Sequence, residues 1–230
     1  MEQKNFKIDI TDYFGKEGMI VIANPNAPTG LALSKDEIEE ILKNAKTAIV
    51  IIDEAYVDFG AESAAGLIPK YDNLIVVGTF SKSRSMAGIR IGYALGQKSL
   101  ISDLHRIKYS FNPYSLDGLA VLAGKASVED REYFENTKNK VIKTRENFMK
   151  ELKTLGFEVF DSKANFVFTK NDIISGEELY KELRRNNILV RYFDEDVLRD
   201  YVRISIGSDE NMEYTTNVLR GIIGNRGKHE

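Results

Sequence analysis

The chain has 230 residues, enough at about 100–200 per domain for one large domain or two small ones. Its 32 basic and 35 acidic residues give a net charge of −3, which leaves no electrostatic footprint for nucleic acid. There is no cysteine, so disulfides, thiolate catalysis, iron–sulfur clusters and cysteine zinc sites are excluded. A histidine-based metal site or Ser-His-Asp arrangement would rest on His105 or His229, so no metal is expected. No apolar run approaches the roughly 18 residues of a membrane helix, and the N-terminus leads no hydrophobic signal region. The expectation is a soluble cytoplasmic protein with no membrane or nucleic-acid partner.

Met19–Ala23 is a short apolar run that ends in Asn24-Pro-Asn-Ala-Pro-Thr-Gly30, a loop by its two prolines and glycine. Ser34 with Glu37 reads as a capping box before a helix that carries Ile38, Ile41, Leu42 and Ala45 on one face. Ala48–Ile52 and Leu74–Val77 read as buried strands, and Ile89–Ala94 as a further one. Apolar strands without polar alternation, separated by helices, predict a mostly parallel sheet covered on both faces, hence an α/β class. After Pro113 the pattern changes. One long charged helix is expected from Ser127 to Leu155, then strands at Phe157–Phe160 and Asn165–Phe168. Ser175 and Glu178 predict a second capping box, followed by strands at Ile188–Val190 and Tyr201–Ile206 and a last helix from Ser208. The expected division is 1–112, a large sheet domain, and 113–230, a linker helix with a small α+β domain. Gly224–Glu230 reads as a mobile tail. No internal repeat or low-complexity tract is present.

Ligands of an open parallel sheet bind beyond the carboxyl ends of its strands. Past the ends of the first three strands lie Asn24–Gly30, then Asp53-Glu-Ala-Tyr56, then Thr79-Phe-Ser-Lys82. A desolvated Lys82 would be a nucleophile toward carbonyls; otherwise it is a surface lysine. Asp53 can neutralise a buried cation or serve as a loop acid. Arg90 and Arg203 lie in apparent strands, where a guanidinium meets a carboxylate or phosphate as ligand or as structural salt bridge. Ile49–Glu54 looks like the strand and acid pair of a nucleotide hydrolase. Its phosphate loop is absent, since Gly78–Ser83 has Ser81 in place of the second glycine and is two residues short. No dinucleotide fingerprint occurs either.

Together these segments resemble the fold-type I pyridoxal-phosphate enzymes, most of all the histidinol-phosphate aminotransferase branch. Five stretches match in family order: Asn24–Gly30, Asp53–Phe59, Thr79–Gly92, Ile188–Phe193 and Val202–Gly207. The resemblance implies the large domain of the pyridoxal-phosphate-dependent transferase fold, in part, plus the small C-terminal domain. It implies pyridoxal 5′-phosphate as cofactor, amino-acid and keto-acid substrates, and a homodimer. Lys82 would hold the cofactor as a Schiff base and later move the proton between substrate and cofactor. Asp53 would pair with the pyridinium nitrogen and Tyr56 with the phenolic oxygen. Ser81 and Arg90 would bind the cofactor phosphate, with Thr79 as a further candidate. Arg203 would take the substrate α-carboxylate, and Arg191 the substrate phosphate or the second carboxylate of glutamate. The implied reaction is histidinol phosphate with 2-oxoglutarate, giving imidazole-acetol phosphate and glutamate, a step of histidine biosynthesis. Threonine-phosphate decarboxylase and aromatic aminotransferase chemistry on the same scaffold are the alternatives, as is a non-catalytic fragment.

Two departures stand out. The family places an asparagine directly before Pro-Thr-Gly. Here that position is Ala27, so Asn26 compensates or Tyr56 acts alone. Family members are also longer, and the resemblance implies that the chain begins inside the pattern at Asn5–Ile10. The N-terminal arm, the loop that cradles the cofactor phosphate and the aromatic residue that stacks on the ring would then be lacking.

Overall fold

The computed structural model describes residues 6–226. The chain divides into two compact units, Met1–Asn26 with Leu31–Asn136, and Ala27–Gly30 with Thr137–Glu230.

The first unit holds a four-stranded sheet of β1 (Gly18–Ala23), β2 (Ala48–Asp53), β3 (Leu74–Thr79) and β4 (Gly92–Gly96), in that spatial order. β1, β2 and β3 run parallel, with Ala23 opposite Asp53 and Asp53 opposite Val77. Helix α1 (Lys35–Asn44) starts at the expected capping box: Ser34 Oγ accepts from the Glu37 amide, and the Glu37 carboxylate accepts from the Ser34 amide at 2.7 Å. Its Ile38, Ile41 and Leu42 pack against Ile20, Ile22, Val50, Ile52, Leu74 and Val76 from the strands. These strand side chains, β-branched except Leu74, fill alternate positions, so one face of the sheet makes the core.

Three expectations need correction here. The sheet is not buried on both faces, since Met19 and Val21 on β1 are 65% and 61% exposed. Residues 89–91 are not strand: Ala87–Ile89 form a 3-10 turn, and the strand starts at Gly92, antiparallel to β3. The first unit also extends past Pro113. Helices α2 (Lys98–Phe111) and α3 (Gly118–Glu129) belong to it, and the units part within α4 (Arg131–Thr154). Pro113 merely separates two helices. Arg84 explains why α3 stays with the first unit, because its guanidinium donates to the Ser127 carbonyl.

The second unit is α+β. Its antiparallel sheet has the order β5 (Glu158–Val159), β6 (Phe166–Lys170), β8 (Val202–Ser205), β7 (Arg191–Tyr192). Helices α4, α5 (Gly176–Arg185) and α6 (Asp209–Arg226) supply Phe148, Leu152, Leu179, Leu183, Met212 and Leu219 to a core with Val167, Val202 and Ile204. Ser175 Oγ accepts from the Glu178 amide at 3.3 Å at the start of α5.

The single helix expected from 127 to 155 is two. Asp130 interrupts it and accepts from the Tyr133 amide, restarting the chain as a cap does. The strand expected at Ile188–Val190 lies one step later, at Arg191–Tyr192. The tail expected to be mobile is helical through Arg226; its last four residues, 227–230, lie outside the described residues and so does His229. Among the described residues, no helix is long and apolar enough to cross a membrane.

Candidate functional site

The carboxyl ends of β1, β2 and β3 set three loops side by side. Hydrogen bonds continue past the strands: the Asn24 amide donates to the Asp53 carbonyl and the Glu54 amide to the Val77 carbonyl, both at 2.8 Å. Asn24 is buried and locks the first loop by bonding Leu33 twice, accepting from its amide at 2.7 Å and donating to its carbonyl at 3.1 Å. The Asn26 amide donates to the Leu31 carbonyl at 2.8 Å, closing the segment across the two prolines.

Asp53 ends β2 half-buried, and its Oδ1 accepts from the Ala55 amide at 3.0 Å, which orients the carboxylate at the rim. Glu54 turns inward instead. It is only 5% exposed and accepts from Ser63 Oγ at 2.7 Å and from the Ala64 amide at 2.6 Å. Burial pushes its carboxyl above the ordinary range, against the pull of those two bonds, and Asp58 nearby adds to the rise. Tyr56 leads into the 3-10 turn Val57–Phe59. Tyr93, on β4, lies so close over Gly78 that a Cβ there would meet its ring at 2.3 Å. Its phenol is pushed up by burial and by the charges of Asp58 and Glu54.

Beyond β3, Thr79 Oγ1 donates to Ser81 Oγ at 2.9 Å and accepts from the Ser81 amide at 3.1 Å. Lys82 comes next, with its Nζ 5.2 Å from the centre of the Tyr56 ring, within cation–π reach. Of the two readings of Lys82, the structure favours the surface lysine, because the side chain is exposed. A lysine stem places its head in water wherever its own neighbours leave an opening. Arg90 differs from expectation as well. It is exposed, outside any strand, in a left-handed conformation with φ 63°, and its Nη1 donates to the Ala87 carbonyl at 2.9 Å. The first unit therefore collects Asp53, Tyr56, Thr79, Ser81 and Lys82 on one rim, with Arg90 on the segment that leads into β4.

The second unit carries the other two arginines. Arg203 on β8 lies directly opposite Arg191 on β7. Like charges facing each other across strands repel, and anionic groups bound beside them would offset that repulsion. The Arg203 guanidinium lies 4.9 Å from the Phe166 ring centre, and its buried Nε has no hydrogen-bond partner among the described residues. Arg191 is exposed and lies 5.3 Å from the Phe193 ring. Nothing in the sequence alone marks a role for Asn24, Glu54, Asp58 or Ser83. Burial distinguishes Asn24, Glu54 and Ser83 in the structure, and a lone polar residue in the sequence does not announce it. Among the described residues, no group of three or more His, Asp or Glu side chains could hold a metal ion.

Residues 1–219 match the family model for aminotransferase class I and II. The chain is 53% identical over 222 residues to histidinol-phosphate aminotransferase of Brachyspira hyodysenteriae, covering 96% of this chain and 63% of that protein. It is 48% identical over 221 residues to the enzyme of the same name from Clostridium botulinum strain Okra, covering 96% and 62%. Its fold superposes on the crystal structure of histidinol-phosphate aminotransferase from Clostridium acetobutylicum with TM-score 0.83 at 31% identity, over 90% of this chain and 64% of that one. The chain thus spans less than two thirds of the length of these relatives.

Proposed function

The chain belongs to the aminotransferase class I and II family, and from that premise we propose that it serves a pyridoxal-phosphate-dependent transamination between histidinol phosphate and 2-oxoglutarate. The observation that carries the reading is the approach of Lys82 Nζ to the Tyr56 ring at 5.2 Å, on the rim that also bears Asp53. A primary amine, a phenol, a carboxylate and the hydroxyls of Thr79 and Ser81 are the donor set that an aldehyde-bearing pyridine phosphate requires. When bound, pyridoxal phosphate supplies an electron sink for the charge left on the substrate α-carbon.

The chain's own residues would do the rest. Asp53 would hold a proton on the ring nitrogen by charge pairing. Tyr56 would donate to the phenolic oxygen, with Asn26 beside it in place of the side chain that Ala27 lacks. Lys82 Nζ would attach the cofactor and, once released, carry the proton removed from the α-carbon. Ser81, Thr79 and Arg90 would bind the phosphate. Arg203 would grip the α-carboxylate with two parallel bonds. Arg191 would take the substrate's phosphate in one half-reaction and the distal carboxylate of glutamate in the other. A homodimer and a cytoplasmic location complete the proposal. The exposed apolar side chains of α2 and α3, Phe111 and Leu119 among them, supply what an interface core needs.

The deciding experiment loads the purified chain with pyridoxal phosphate, removes the excess and records the visible spectrum beside a Lys82→Ala control. A retained band that disappears in the control and changes on adding histidinol phosphate supports the reading. A folded chain that retains no band, or the same band without Lys82, overturns it for this chain.

A further inference from the structure

Lys82 is an exposed side chain between two anchored ones. Before it, Ser81 is tied to Thr79. After it, Ser83 is buried, and its hydroxyl donates to Asp58 Oδ2. Arg84 then donates to the Ser127 carbonyl and lies 4.1 Å from the Phe134 ring centre. The turn is closed from within by the Ser85 amide on the Lys82 carbonyl at 3.0 Å and the Met86 amide on the Phe80 carbonyl at 3.0 Å. Among these ties, the Ser83–Asp58 bond alone joins the loop after β3 to the loop after β2, which carries Tyr56.

We infer that this bond is a clasp that holds Lys82 against Tyr56, with Ser83 and Asp58 as positioning residues. The inference deepens the proposed function and rests on it for the role of Lys82. A lysine stem carries about 2 kcal/mol of rotamer entropy, so an exposed Nζ wanders unless its backbone is fixed. Ser83 is one residue from Lys82 and Asp58 is two from Tyr56, so one bond sets both backbones. The bond is charge-assisted and its donor is buried, which makes it stronger than an exposed one and shields it from competing water.

The test needs no cofactor. Lysines of the full chain are reductively methylated with carbon-13, and the Lys82 signal is assigned by its loss in Lys82→Arg. Tyr56→Leu then defines the signal position without the ring. The clasp predicts that Ser83→Ala and Asp58→Ala move the signal at least halfway to that position. Asp58→Asn keeps an acceptor oxygen but loses the charge, so it should move the signal less than Asp58→Ala does. Should Asp58→Ala fail to fold, Ser83→Ala, which removes one hydroxyl, decides. A signal unmoved in folded Ser83→Ala overturns the clasp, as does one that moves equally in Asp58→Asn, since charge alone would then be responsible.

A second arm adds pyridoxal phosphate, traps with borohydride and reads the share of label on each lysine by peptide mass. Losing a charge-assisted bond should cut the Lys82 share about tenfold in Ser83→Ala. If the parent chain shows no preference for Lys82, the cofactor reading fails, while the first arm still judges the clasp.

Discussion

In the second unit, β6 buries Phe166, Val167, Phe168 and Thr169 in succession. In the first unit, β1 buries Ile20 and Ile22 but exposes Met19 and Val21, although its sequence is just as apolar. An unbroken apolar strand specifies burial on both faces. β6 receives it. β1 receives one layer, from α1, and its other face leaves Met19 and Val21 mostly exposed. An apolar pattern therefore states what a strand can bury, and the layers actually present decide how much of it is buried.

Substitutions can break or sharpen that contrast. Phe168→Ala should have the largest effect. Phe168 is fully buried and stacked on Tyr201 with ring centres 4.7 Å apart, so its loss should cost about 4 kcal/mol by denaturant unfolding. Ile52→Ala, fully buried on the covered face of the first sheet, should cost about 3 kcal/mol. A far smaller cost at Ile52 would mean that the covered face of the first unit is loosely packed.

Glu54→Gln probes the same covered unit through pH. The folded carboxyl is raised above its unfolded value, so folding binds a proton, and this contribution is fully present below the unfolded value near 4.5. It fades as pH rises through the raised folded value. The stability of Glu54→Gln relative to the parent should therefore improve with pH across that window, as denaturant midpoints at several pH values will show. A difference that is flat with pH contradicts the raised carboxyl. The smallest effect belongs to Met19→Thr with Val21→Thr. Each should change stability by no more than about 0.5 kcal/mol, while light scattering shows less self-association. A loss above about 2 kcal/mol would show that this face is packed in solution.

The strands β1, β2 and β3 and the cap of α1 were legible because their signals are local: β-branched runs, and a Ser–Glu pair three residues apart. The rim after those strands was legible for the same reason, since topology alone puts strand ends together. The direction of β4 was not. Nothing within Gly92–Gly96 records whether the preceding loop turns back or crosses over. The exposure of Lys82 and the bond between Asp58 and Ser83 depend on partners 25 residues apart in sequence, which no periodicity encodes. The division within α4 was hidden for a similar reason. A helix keeps its own hydrogen bonds whichever unit its side chains join.

In its proposed role as a phosphate ligand, Arg90 sets stability against utility. A non-glycine residue in the left-handed region carries about 1–2 kcal/mol of conformational penalty, and Arg90 holds φ 63° while offering an exposed guanidinium beside the rim. Arg90→Gly should therefore leave the fold as stable as before or firmer by up to about 1 kcal/mol, while weakening retention of a phosphate-bearing ligand. A screen for thermal stability would favour the glycine, and a screen for binding would restore the arginine. On the proposed phosphate-binding role of Arg90, position 90 is a place where selection for a hardier protein and selection for a working one point in opposite directions.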